Sequence, residues 1–185
     1  MISDLEIASD CADLGTYYQR ICQLHADAHG ENYLLVHHEI RRCMAESESY
    51  TELGVNQGAT LAAALLCGAR NVSGYDIMLD HYRPAARLFS QYATRQGVTI
   101  KLFETSSLNC LIEPVDVLYI DTVHTESQLT QELELHGDKV RKFIICHDTN
   151  SSSGLRKALN KFLPKSKWKV VNNCRVGTGF TTISR

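Results

Sequence analysis

The stretch Tyr50-Thr51-Glu52-Leu53-Gly54-Val55-Asn56-Gln57-Gly58 decides the fold. Residues 50–55 read as a short strand. Residues 58–67 read as an Ala/Leu-rich helix that is apolar on all sides and therefore buried, with Gly68 placed to stop it. Downstream the same pattern repeats. Strands are expected over residues 72–77, 98–103, 116–121 and 142–147, and helices over residues 80–95, 126–140 and from Leu155 to Leu163. Two last strands, residues 168–172 and 179–184, are separated by a turn too short for a crossover helix, so they must pair antiparallel. Strands alternating with helices imply a parallel sheet covered on both faces. The expected architecture is α/β: a Rossmann-like, doubly wound, seven-stranded and mostly parallel sheet with an antiparallel C-terminal hairpin.

Upstream of Ser49 the periodicity is helical. Leu14, Tyr17, Tyr18 and Ile21 share one face, as do Val36, Ile40, Cys43 and Met44, and residues 25–30 read as a break between them. No repeat or linker appears, so residues 1–185 are read as one domain. Within it, residues 1–48 form a helical segment, either a lid or a layer packed on the sheet. Tyr17, Tyr18 and Tyr33 are expected in the layer, and the roles of His25, His29, His37 and His38 stay open.

The 185 residues are 44% hydrophobic and 22% charged, enough to bury a sizeable core and too apolar for a disordered chain. A net charge of -2 argues against a nucleic-acid surface spread over the whole fold. Arg156, Lys157, Lys161, Lys165, Lys167 and Lys169 make the C-terminal region basic, which reads as a solvated helix face. No apolar run approaches the roughly 20 residues that span a bilayer. The start is acidic and lacks an apolar stretch, so no signal peptide is expected. Seven cysteines, an odd number with no C-x-x-C pair, suit buried reduced thiols in a cytoplasmic protein.

Ligands of open α/β sheets bind at the carboxyl ends of the strands. At the first strand end, two glycines let the loop turn sharply and admit a ligand to the backbone. The second strand ends at Asp76, where an acid can accept hydrogen bonds from a ribose diol. Glycine loop and acid together fit a dinucleotide or a nucleoside such as S-adenosylmethionine (SAM). The fourth strand runs out through Asp121-Thr122-Val123-His124, and the fifth through His147-Asp148. These strands are neighbours in a doubly wound order, so Asp121, His124, His147 and Asp148 should meet. Two carboxylates and two imidazoles can bind a divalent cation or supply a general base.

Residues 50–58 with Gly74-Tyr75-Asp76 resemble motifs I and II of class I SAM-dependent methyltransferases. The segments Tyr119-Ile120-Asp121-Thr122-Val123-His124-Thr125-Glu126 and Ile145-Cys146-His147-Asp148-Thr149 are similar to the branch with cephalosporin-hydroxylase-like and metal-dependent sugar O-methyltransferases. The resemblance runs from Ser49 to Arg185. It implies that Glu52, Gly54, Asn56 and Gly58 surround the methionine end of SAM, that Asp76 binds the ribose and that Ile77 lies against the adenine. Glu104-Thr105-Ser106 stands where relatives have G-D-S, so Thr105 and Ser106 take that part of the cofactor site. Asp121, counted also toward the cofactor, and Asp148 match metal-ligand positions for Mg²⁺ or Mn²⁺. His147 stands where some relatives carry a glutamate ligand. His124 matches a base position, with Asp148 as the second catalytic candidate. The implied activity is methylation of a hydroxyl on a small acceptor such as a sugar or metabolite. Neither nucleic acid nor membrane is an expected partner, and a homodimer is the assembly to consider. The competing readings are a SAM-binding protein without transferase activity and a dinucleotide-dependent oxidoreductase.

Overall fold

The computed structural model describes residues 4–185. Seven strands form one sheet: β1 (Ser49–Leu53), β2 (Asn71–Asp76), β3 (Thr99–Glu104), β4 (Val115–Ile120), β5 (Val140–His147), β6 (Lys169–Cys174) and β7 (Phe180–Ser184). Their spatial order is β3-β2-β1-β4-β5-β7-β6. Strands β1 to β5 are parallel, and β7 lies antiparallel between β5 and β6. The expected fold class is therefore observed. Because β1 pairs with β2 on one side and β4 on the other, the order reverses between β1 and β4. That reversal opens a crevice at the carboxyl edge.

Every residue of β4 is buried. Its Val117 and Tyr119 enter the core on one face, and Leu118 and Ile120 the core on the other. Helices α1 (Asp4–Ser9), α2 (Leu14–His29), α3 (Leu35–Met44), α4 (Ala59–Leu66) and α5 (Ala86–Gln96) contribute to the first core. Helices α6 (Glu126–His136) and α7 (Ser153–Phe162) cover the second. The burial expected of α4 is met, with Leu61, Ala62, Ala64 and Leu65 at 0% exposure. Gly68, at φ +99°, ends it: its N–H reaches the Leu65 carbonyl and the Ala69 N–H that of Ala64.

Three boundaries differ from the sequence expectation by more than two residues. The break expected over residues 25–30 falls only at its last residue: α2 continues to His29, and Gly30 at φ +84° ends it. The segment before Gly30 holds no Gly or Pro, and the Gln23 amide bonds Asp27 one turn on, at 2.8 Å. The helix expected from Asp80 begins at Ala86, after a 3₁₀ turn over Arg83–Ala85. Pro84 lacks the N–H that a longer α-helix would use. The helix expected to reach residue 140 ends at His136 and gives way to a 3₁₀ turn, Gly137–Lys139. All seven cysteines are unpaired, and no helix among the described residues is long and apolar enough to cross a membrane.

Candidate functional site

The loop after β1 is shaped by its contacts with β4. Gly54 sits at φ +91°, and a Cβ there would lie 2.0 Å from the Asp121 carbonyl oxygen. Asn56 also adopts a left-handed conformation, φ +47°, uncommon without glycine. The Asp76 carboxylate holds the loop. Its Oδ2 accepts the Val55 and Asn56 N–H groups at 2.7 and 2.9 Å, and its Oδ1 accepts the Met78 N–H at 3.1 Å. A carboxylate has about four lone-pair positions and three are taken here, so one is left for a ribose hydroxyl. Beyond it, Ile77 and Met78 are 75% and 47% exposed, an apolar shelf open to solvent. The Thr105 N–H donates to the Asp76 carbonyl at 2.6 Å, and the Ser106 hydroxyl accepts the Leu108 N–H at 3.3 Å. Both residues therefore lie beside the Asp76 strand end. Gly58 opens α4 at φ +78°, against Tyr82 and Phe89. Glu52 lies beneath the loop at 0% exposure and accepts the Tyr50 hydroxyl at 2.6 Å. Burial pushes its carboxyl up to about 8, so it is largely neutral at pH 7.

The four groups at the ends of β4 and β5 do meet. His124 Nε2 lies 3.2 Å from Asp121 Oδ1 and 3.1 Å from Asp148 Oδ2. His147 Nδ1 lies 3.2 Å from Asp121 Oδ2 and 3.4 Å from Asp148 Oδ1. Asp148 is held at φ +56°, a strained conformation of the kind that gathers at functional sites. Burial would raise the Asp121 carboxyl, but the two imidazoles outweigh it and hold the group well below the usual range. The hydrogen bond to Asp121 raises His124 above its ordinary value, supported by the Asp148 charge. Burial opposes protonation of His147, yet Asp121 and Asp148 turn its shift upward.

The chemistry of this donor set suits a cation. Ligand atoms of Asp121, His124 and Asp148 all lie within 4.8 Å of one another. Behind them, His147 Nδ1 and Asp148 Oδ1 are buried without a hydrogen-bond partner. His147 Nδ1 faces the Asp121 and Asp148 carboxylates at 3.2 and 3.4 Å, within ion-pair distance though off the line of a hydrogen bond.

The N-terminal helices overhang this centre. Tyr17 is buried and donates its hydroxyl to the Gln57 carbonyl at 2.8 Å, as a packed layer requires. Tyr33 stands edge-on to His147, ring centroids 5.6 Å apart, meets His25 edge-on at 5.3 Å and lies tilted against His29 at 5.0 Å. Between this roof and Asp121 a cavity of about 40 Å³ remains, lined also by His25, His37 and Gln57. His25 Nε2 bonds Gln57 Oε1 at 3.0 Å. Sequence reasoning assigned no role to Tyr119 or Glu132. The Tyr119 hydroxyl donates to Asp121 Oδ2 at 3.2 Å, and its place two residues before Asp121 on one strand face was the available signal. Glu132, at 0% exposure, accepts Thr122, Ser107 and Gln128 at 2.6–2.8 Å and ties the loops after β3 and β4 to α6. Nothing in its sequence position signals this.

This strand order, with the crevice between β1 and β4, defines the fold of class I SAM-dependent methyltransferases. No family model and no curated protein matches the chain. Among solved structures it is similar to a ribosomal protein L11 methylase from Lactobacillus delbrueckii subsp. bulgaricus, with 21% identity over 84% of this chain and 79% of that one, TM-score 0.64. It is similar to the O-methyltransferase TomG of Streptomyces achromogenes, solved with SAM, at 14% identity over 90% and 88%, TM-score 0.60. It is similar also to the methyltransferase PaMTH1 of Podospora anserina, solved with S-adenosylhomocysteine, at 17% identity over 78% and 74%, TM-score 0.60. The likeness is one of fold, and it bears out the fold that the motif resemblance implied.

Proposed function

We propose that the chain is a SAM-dependent O-methyltransferase acting on a small hydroxylated acceptor. The observation that carries this reading is a pairing at one sheet edge. A glycine loop tied to Asp76 lies on one side of the β1/β4 crevice, and the Asp121–His124–His147–Asp148 centre lies on the other. The loop residues, the Asp76 carboxylate and the Ile77–Met78 shelf fit a nucleoside cofactor. Bound SAM would supply an electrophilic methyl group.

The task left to the protein is to align a hydroxyl and take its proton. His124 is the exposed imidazole of the centre, 45% accessible, and is assigned as the base. In the arrangement seen here, as distinct from one that holds a cation, Asp121 and Asp148 orient it and stabilise its protonated form. A divalent cation would be held by the Asp121 and Asp148 carboxylates with buried His147 as third donor, and would lower the pKa of a bound hydroxyl. His124 Nε2 now lies between those carboxylates, so holding the cation requires this half-exposed side chain to turn toward the acceptor. SAM and TomG's description as an O-methyltransferase support the reading by analogy of fold. The test is formation of S-adenosylhomocysteine from SAM with a panel of hydroxylated sugars and metabolites. Binding of SAM without turnover on any acceptor would favour a non-enzymatic SAM-binding protein, and NADH binding tighter than SAM would overturn the proposal.

A further inference from the structure

A second concavity reaches the Thr149–Asn150 segment that follows Asp148. A groove of about 400 Å³ runs between α7 and β6 and is lined by Arg156, Leu159 and Asn160 from the helix, Val170 and Asn173 from the strand, and Arg175 from the hairpin turn. It belongs to the α6/α7 face of the sheet, where Leu159 joins the core, whereas Tyr119 beneath His147 belongs to the opposite core. No acidic residue lines it. Arg156 Nη1 donates to the Thr149 and Asn150 carbonyls at 2.8 and 2.6 Å, leaving Nε and Nη2 without a protein acceptor. Among the described residues, the side chains of Asn160, Asn173 and Arg175 have no hydrogen-bond or ionic partner.

The charge around the groove is one-sided. Residues 149–185 hold eight of the 19 Lys and Arg and none of the 21 Asp and Glu. Lys161 is paired with Glu126, and Arg185 lies over Trp168. Lys157 adds to the field on Glu126, and Lys165, Lys167, Lys169 and Arg175 have no carboxylate partner among the described residues. A solvated helix face accounts for outward lysines. It does not account for two guanidinium groups that line a concavity with open donors.

We propose that this groove binds a phosphate ester of small-molecule size, at a site separate from the proposed methyl-transfer centre. Planar guanidinium groups match the oxygens of a phosphate two at a time, which is why arginine rather than lysine recurs at such sites. The volume is that of a small-ligand pocket, roughly 300–1,000 Å³. Asn160 and Asn173 offer amides to hydroxyl groups, and Leu159 and Val170 give the organic part an apolar wall. No aromatic ring lines the groove, so single-stranded nucleic acid finds no stacking platform there.

Calorimetric titration of the intact chain with pyrophosphate at low salt tests the proposal. Saturable binding is expected, weakened by about tenfold or more in Arg175→Gln, whose exposed side chain leaves the melting temperature unchanged. Asn173→Ala should weaken it less, and Asp76→Ala, on the other face of the sheet, not at all. Absence of saturable binding, or equal affinity in Arg175→Gln, would overturn the proposal. So would a marked change of affinity in Asp76→Ala in either direction, which would place the anion at the nucleoside crevice. A ten-nucleotide oligouridylate that binds more tightly than pyrophosphate and displaces it would also overturn it, in favour of a nucleic-acid track.

Discussion

At Gly54 there is no room for any side chain, and the positive φ would strain one even where room existed. A Cβ 2.0 Å from the Asp121 carbonyl forces the β1 loop away from the β4 loop, so the two halves of the site part together. Gly54→Ala should therefore lower unfolding free energy by more than about 2 kcal/mol and abolish SAM binding. An unchanged denaturation midpoint would mean that the loop yields freely. Asp76→Ala removes a charged acceptor from two loop N–H groups and from the ribose position, so SAM affinity should fall by more than about tenfold. Calorimetry with unchanged affinity would take Asp76 out of the site. His124→Ala should slow methyl transfer about 10²-fold while SAM affinity stays within a few-fold. The carboxylates raise this imidazole, and the neutral form is the base. Turnover should thus rise with pH through a midpoint above 6.5, and the variant should lose that limb. Should the variant keep the wild-type rate but melt at a lower temperature, His124 is a structural partner of Asp121. Chelation should reduce wild-type turnover, and Asp148→Asn should reduce it further; full activity in excess chelator would leave Asp121 and Asp148 as hydrogen-bonding groups only.

Among the elements, the N-terminal helices carry what the sequence could not display. The strands were legible because β4 and β5 are apolar runs bounded by polar ends, and the strand ends in turn named Asp76, Asp121, His124, His147 and Asp148. The helix–turn junction over Tyr33 was legible only in part: Gly30 marked a break, but the placing of His25 on Gln57 and of Tyr33 on His147 rests on contacts distant in sequence. The anchor of α3 was equally hidden. Glu39 is 4% exposed, binds Arg42 through both carboxylate oxygens and accepts the Asn172 amide of β6 at 2.7 Å. Burial alone would raise its carboxyl, but Arg42, Thr182 and Asn172 lower it. Glu39→Ala leaves those donors without their acceptor and should destabilise the fold by about 2–4 kcal/mol. Asn172→Ala should cost less, because the Arg42 pair survives. If both variants melt with the wild type, α3 is held by its apolar face alone.

Over the whole molecule, buried acids of opposite behaviour set the pH range of stability. Asp121 and Asp116 titrate below their ordinary values, Asp116 at about 2 because Arg141 and the Glu48 N–H outweigh its burial. Their stabilisation is complete above about pH 4 and is lost as pH falls through the folded values. Glu52 works the other way. Its folded value of about 8 lies above an ordinary 4.5, so the folded chain keeps a proton that the unfolded chain releases. Stability is therefore lost progressively as pH rises from about 4.5 to 8, by about 1.4 kcal/mol per unit and at most about 4–5 kcal/mol in all. Nothing in the pattern of residues 50–58 marks Glu52 as neutral. A glutamate beside a glycine loop reads as a ligand-facing charge, and only the depth of β1, with Tyr50 and Leu53 at 0% exposure around it, makes it an uncharged core group. Glutamine preserves its shape and can accept the Tyr50 hydroxyl without ever ionising. Glu52→Gln should match the wild type near pH 5 and exceed it increasingly toward pH 8 in denaturant titrations at fixed temperature. His124 and His147 add slopes of their own, but these are common to both proteins and cancel in the difference. A difference between variant and wild type that stays constant from pH 5 to pH 8 would show that Glu52 is already ionised in the folded chain, and would return it to the ligand-facing role that the motif resemblance implied.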